Sequence, residues 1–135
     1  MVKTLDHVTT IVKSFDETTA ALARVLQTRP VLEWRIPGIV VSTFVIGDAE
    51  LHVVTPRGAG PVADLVAKGH DGLHHIALRV DDLERALEEL RARGIRTLGE
   101  PVEALPGVRE VFLDPTQTGG LLIQAVERRG KGNSP

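Results

Sequence analysis

Leu5-Asp6-His7-Val8-Thr9-Thr10-Ile11-Val12 and Leu73-His74-His75-Ile76-Ala77-Leu78-Arg79-Val80 align with His7 over His75, and each strand-like run feeds a helical pattern. A second pair aligns near the end of each copy, Glu50-Leu51-His52-Val53-Val54 with Leu122-Ile123-Gln124-Ala125-Val126. The chain reads as a duplicated unit, and each copy carries metal-competent side chains at matched positions.

Working outward, a strand is expected over Thr4 to Val12 and a helix from Asp16 to Gln27, where Ser14-x-x-Glu17 reads as a capping box. Phe15, Thr19, Leu22 and Leu26 fall on one face of that helix. Strands follow at Val31 to Arg35, Ile39 to Ile46 and Glu50 to Thr55, the last two joined by a tight Gly47-Asp48 turn. This is a βαβββ module over about residues 1–57. The stretch from Arg57 to Pro61 breaks the pattern, and Val62 to Lys68 can form a short linker helix stopped by Gly69. The second module, about 72–128, has a helix from Asp82 to Arg93 with Leu83, Ala86, Leu87 and Leu90 as its apolar stripe and Gly94 as its C-terminal stop. Strands near Thr97, at Val108 to Leu113 and at Leu121 to Val126 complete it. The run from Arg128 to Pro135 reads as a frayed basic tail, with 129–135 beyond the module. The expected class is α+β, one domain spanning 1–135 built from two tandem βαβββ modules.

Composition agrees. At 135 residues and 42% hydrophobic, the chain is long enough for one core. A net charge of -2 and a pI near 6.2 give no electrostatic reason to bind nucleic acid or anionic lipid, and no apolar run approaches the roughly 20 residues of a membrane span. Without a secretion-signal pattern, and with no cysteine, a cytoplasmic protein is expected. Nucleophilic Ser or Cys catalysis is disfavoured, because Ser14 stands at a helix start, Ser134 in the tail and Ser42 inside a strand without a G-x-S-x-G elbow. Histidine, carboxylate, arginine and metal chemistry remain.

Strand parity sorts the histidines, since successive side chains point to opposite faces. His74 shares a face with Ile76, Leu78 and Val80, the apolar side a helix would cover, and is read as structural. His75, Ala77 and Arg79 take the other face, as His7, Thr9 and Ile11 do in the first copy. His52 lies with Glu50 and Val54, and Gln124 with Leu122 and Val126. His70, in a Gly-flanked loop, is read as solvated. If the modules pack about a pseudo-twofold axis, His7, His52, His75 and Gln124 converge as ligands of one divalent ion; their imidazole and amide donors suit Zn, Co, Ni, Mn or Fe(II).

At these residues the chain resembles the vicinal oxygen chelate superfamily, which includes glyoxalase I, fosfomycin resistance proteins, extradiol dioxygenases and methylmalonyl-CoA epimerases. The nearest likeness is to the epimerase family, carried by Leu5-Asp6-His7-Val8, Gly72 to Ala77, Val80-Asp81-Asp82-Leu83-Glu84, Phe112-Leu113-Asp114-Pro115 and Thr118-Gly119-Gly120. The resemblance implies a U-shaped mixed sheet cupping a divalent metal, and a homodimer. It puts the ligands on His7, His52, His75 and Gln124. In the epimerase family the second ligand is Gln or Glu and the fourth is Glu, so His52 and Gln124 depart from the pattern. Its catalytic Glu precedes the Gly that opens the next strand, where this chain has Ile36 or Pro37. Glu33, the nearest carboxylate, points opposite to residue 36 in a continuous strand.

The resemblance thus implies a divalent-metal-dependent enzyme acting on a small carbonyl or carboxylate substrate, acyl-CoA thioesters included, by Lewis-acid stabilisation of an enolate, with the usual glutamates missing. Neutral ligands would leave the ion near +2, and a three-His zinc site can bring its water's pKa to about 7, so that hydroxide could replace the base. A metal-dependent lyase, isomerase or hydrolase of that kind is one alternative. The other is a resistance-type protein that binds a small molecule without turnover, with Trp34 and Phe44 as candidates for the apolar wall.

Overall fold

The computed structural model describes residues 1–129. Eight strands and three helices follow in the order β1 (Val2–Ile11), α1 (Phe15–Leu26), β2 (Leu32–Ile36), β3 (Gly38–Ile46), β4 (Ala49–Arg57), α2 (Pro61–Ala67), β5 (Gly72–Val80), α3 (Leu83–Ala92), β6 (Thr97–Leu105), β7 (Val108–Leu113) and β8 (Ile123–Arg128), with a 3₁₀ turn at Pro115–Gln117 before β8. The expected α+β class and both βαβββ repeats are present. The chain forms two compact units, one of residues 7–74 and one of residues 1–6 with the chain from 75 onward. The division falls within β1 and at 74/75, so linker helix α2 belongs with the first repeat.

In the unit of residues 7–74 the strand order is β2-β3-β4-β1, with β4 parallel to β1 and the other pairs antiparallel. Two tight turns set the registers. Gly47-Asp48 joins paired Ile46 and Ala49, and Pro37-Gly38 joins paired Ile36 and Ile39, with Gly38 at φ +92°, the Pro-Gly pattern of a type II turn. One face carries Ile11, Val41 and Val54, against which Trp34, Ile39 and the α2 residues Val62, Leu65 and Val66 pack. The opposite face buries Ser42, Phe44 and Val53 completely on the side where α1 lies against β4.

The capping box expected at α1 is not made. Ser14 stands at the N-cap, but its side chain accepts no cap hydrogen bond. Instead α1 relies on its C-terminus, where Gln27 adopts a left-handed conformation (φ 55°) and the Thr28 N–H reaches the Ala23 carbonyl.

In the other unit the order is β5-β8-β7-β6, with β5 parallel to β8. Helix α3 covers one face through Leu83, Ala86 and Leu87, which bury against Val80, Val111, Leu113 and Ala125. This is the helix-covered face expected from Ile76, Leu78 and Val80. Asp82 caps α3 by accepting the Arg85 N–H. At its other end the Ile95 N–H bonds the Leu90 carbonyl and the Gly94 N–H that of Arg91, a Schellman closure made possible by Gly94 at φ +83°. Glu127, 3% exposed, accepts the Leu83 N–H at 2.9 Å and so ties the start of α3 to β8.

Two boundaries differ from expectation. β6 runs for nine residues through Gly99 and Pro101, which read locally as a turn. It is an edge strand with irregular register between Leu98 and Val102, the setting in which a sheet tolerates both residue types. β8 begins at Ile123 and includes Arg128, and the Arg129 N–H bonds the Gly107 carbonyl, so neither arginine frays as expected. The rest of the expected tail, 130–135, lies outside the described residues. Among the described residues no helix is long and apolar enough to cross a membrane.

Candidate functional site

In the unit of residues 7–74, the parallel pairing of β1 with β4 sets His7 against Glu50, Thr9 against His52 and Ile11 against Val54. Paired residues share a face, so His7, Glu50 and His52 lie on one side of the sheet, with Thr43 completing the row on β3. His7 is 5% exposed. The His7 and His52 rings stack with centroids 4.1 Å apart and planes within 15°. His52 Nε2 lies 2.9 Å from Glu50 Oε1. A carboxylate only accepts, so Nε2 is the donor of this contact, and in a neutral imidazole so placed the lone pair lies on Nδ1. Trp34, paired with Val41, is half-buried on the same face, and α2 packs on that face beside Ile11.

Phe44 does not belong to this face. It pairs with Leu51, adjacent in sequence to Thr43 and therefore on the opposite side, and is 0% exposed. Fully buried on the other side of the sheet, it stands apart from the row of His7 and His52 and offers that row no apolar wall. Glu33 points away from residue 36, as expected, and its carboxylate meets Arg35 at 3.3 Å. Ile36 stands at the end of β2, partly exposed and without ionisable chemistry.

In the other unit, β5 pairs Ala77 with Gln124 and β7 pairs Phe112 with Gln124. His75, Ala77, Arg79, Phe112, Gln124 and Arg128 thus occupy the face away from α3. Phe112 meets the His75 ring edge-on at 5.0 Å. Gln124 is 4% exposed, and its Oε1 has no hydrogen-bond partner among the described residues. Asp6, fully buried, accepts from Arg79 Nε at 2.9 Å and from Arg128 Nε and Nη2 at 2.7 and 2.8 Å. His74 faces the opposite way, and burial lowers its pKa below the ordinary 6.5.

Imidazole nitrogen and amide oxygen are donor types that suit a divalent transition ion; the unit of residues 7–74 offers the stacked imidazoles of His7 and His52, and the other unit by itself offers the buried Gln124 oxygen, without a hydrogen-bond partner among the described residues. Ring lone pairs lie in the ring plane, so rings within 15° of parallel can bind one ion together only after one of them turns. Among the described residues no three His, Cys, Asp or Glu side chains gather as a metal-binding group.

Three features were not singled out from sequence. Glu50 was placed on the face of His52, but its contact with the ring depends on side-chain conformation. Phe112 reaches the row of His75 through the β7–β8 register, which a nine-residue connection conceals. Asp6 finds arginines 73 and 122 residues away.

Residues 6–112 match the family model of the glyoxalase/bleomycin resistance protein/dioxygenase superfamily. The chain is 28% identical over 125 residues to the mitochondrial methylmalonyl-CoA epimerase of Homo sapiens, covering 89% of this chain and 71% of that protein. It is 31% identical over 91 residues to the ethylmalonyl-CoA/methylmalonyl-CoA epimerase of Cereibacter sphaeroides, covering 64% of this chain and 68% of the relative. The crystal structure of methylmalonyl-CoA epimerase from Mycobacterium tuberculosis superposes with a TM-score of 0.84 at 27% identity, over 96% of this chain and 91% of that one.

Proposed function

The chain belongs to the glyoxalase/bleomycin resistance protein/dioxygenase superfamily, and we propose that within it the protein is a divalent-metal-dependent isomerase or lyase related to the acyl-CoA epimerases it resembles. The substrate class of this reading is a small carbonyl or carboxylate compound, acyl-CoA thioesters included. The human and Cereibacter sphaeroides relatives are epimerases, which supports an enzyme at the level of the family.

The observation that carries the reading is the pair of imidazoles, His7 buried and His52 half-buried, stacked at 4.1 Å on one strand face. We assign His7, His52, His75 and Gln124 as the donors of one ion, Zn, Co, Ni, Mn or Fe(II). The unmet Gln124 Oε1 supports the fourth assignment. When bound, such an ion supplies Lewis acidity for polarising a carbonyl. Trp34 supports an apolar contact for the substrate on the His52 face. Ile36 accepts no proton, and the Gln124 amide exchanges none at neutral pH, so the proton chemistry of the glutamate-bearing epimerases is not carried over. A chain without cysteine suits a reducing cytoplasm. A homodimer completes the reading, to be tested by light scattering for a mass twice the 14.6 kDa chain.

A second reading, ligand binding without turnover, is favoured by Ile36 or Pro37, neither of them a base, where the resembled epimerases have their catalytic Glu. Elemental analysis of protein purified without chelator, alongside a His7→Ala, His75→Ala double mutant, tests the metal. About one ion per chain in the parent and loss in the mutant is expected. A parent that neither contains nor takes up Zn, Co, Mn, Ni or Fe(II) overturns the metalloenzyme reading. Incorporation of deuterium from heavy water into acyl-CoA substrates, followed by mass spectrometry, then separates turnover from binding alone.

A further inference from the structure

We propose that Glu50 is the positioning carboxylate of His52, holding its ring as the Nε2–H tautomer so that Nδ1 is the nitrogen offered to a metal. The proposal rests on the reading of His52 as a ligand and adds a residue to it. Glu50 precedes His52 by two positions on β4, so both side chains emerge on one face about 7 Å apart along the strand. The Glu50 side chain bends back to bring Oε1 to 2.9 Å from His52 Nε2, a charge-assisted contact with the two side chains 34% and 14% exposed. One face of the His52 ring is covered by His7. The carboxylate contact alone selects the nitrogen: with Nε2–H held by Glu50, Nδ1 is left as the lone-pair donor, and the ring that turns out of the stack to share an ion is His7.

The charge argument points the same way. Three imidazoles and an amide are neutral donors and leave a divalent ion uncompensated. Glu50 puts a carboxylate in contact with one of them, where it makes the imidazole a more basic donor. The β4 position of His52 thus combines a nitrogen ligand with an outer negative charge.

Two readouts test the proposal on the full chain. Long-range ¹H–¹⁵N NMR of metal-free, ¹⁵N-labelled protein reports the His52 tautomer directly. The expected result is Nε2–H in the parent and a mixture of tautomers in Glu50→Ala. Zn(II) affinity, by competition with a chromophoric chelator, should fall by roughly 10–100-fold in Glu50→Ala. Glu50→Gln retains an oxygen acceptor without charge and should lose less affinity while keeping the tautomer. An unchanged tautomer and unchanged affinity in Glu50→Ala, with the variant folded by circular dichroism, overturn the proposal. A parent that binds no Zn(II) defeats the metal reading, and the hold of Glu50 on His52 then stands or falls on the NMR result.

Discussion

At the scale of single residues, Asp6 is fully buried and both of its carboxylate oxygens are occupied, Oδ2 by Arg79 and Arg128 together and Oδ1 by Arg128. Replacing it by Ala removes the buried carboxylate to which both guanidinium groups donate. Because Arg79 and Arg128 keep 27% and 18% of their side-chain surface in water, the expected loss is at the lower end for a broken buried pair, about 3 kcal/mol, read by urea unfolding. Asp114 behaves differently. Its pKa is lowered from 3.8, chiefly by the Thr116 hydroxyl, then by the Thr116 backbone N–H and Arg96. A carboxyl with a depressed folded pKa adds stability that is present above its ordinary pKa and lost as pH falls through the folded value. Asp114→Asn should therefore reduce the loss of stability on acidification below pH 3.8 and leave the slope near neutrality unchanged, as measured by unfolding across a pH series. The Asp6 environment was not legible locally, since Asp6 reads in sequence as one more alternating strand residue, whereas the main partner of Asp114 is only two residues on.

At the scale of elements, the two repeat helices begin with residues of equal capping propensity and use them unequally. Ser14 makes no side-chain cap bond, whereas Asp82 accepts the Arg85 N–H at 3.1 Å. Ser14→Ala is expected to be nearly neutral and Asp82→Ala to cost about 1 kcal/mol, compared by chemical denaturation of the two variants. The sequence motif specifies which side chain is available, but whether it turns onto the N–H is a matter of conformation; Ser14 sits at φ -106°, ψ 83°. Helix stops and hairpins were more legible. Gly94, Pro37-Gly38 and Gly47-Asp48 act through their own backbone freedom, which does not wait for a distant partner. β6 was mostly missed for the converse reason: Gly99 and Pro101 signal a turn, and only hydrogen bonding to β7 makes the segment a strand.

At the scale of the whole molecule, a ligand that binds only the native chain raises its stability by mass action. With Zn(II) at about 100 times its dissociation constant, the parent should gain about 2.7 kcal/mol, and the His7→Ala, His75→Ala double mutant should gain nothing; thermal unfolding with and without metal checks this. The duplication, the βαβββ order of each copy, the helix-covered face of β5 and the shared face of His7, Thr9 and Ile11 were determined by the sequence itself. Hydrophobic period, turn residues and strand parity are properties of short segments. Which strands lie side by side, and in what register, was decided by tertiary structure alone. The parallel pairing of β1 with β4 brings His7 beside Glu50 and stacks it on His52, 45 residues later. That pairing gains its free energy from burying faces such as Ile11, Val41 and Val54 against α2, a long-range cooperation that no single segment encodes.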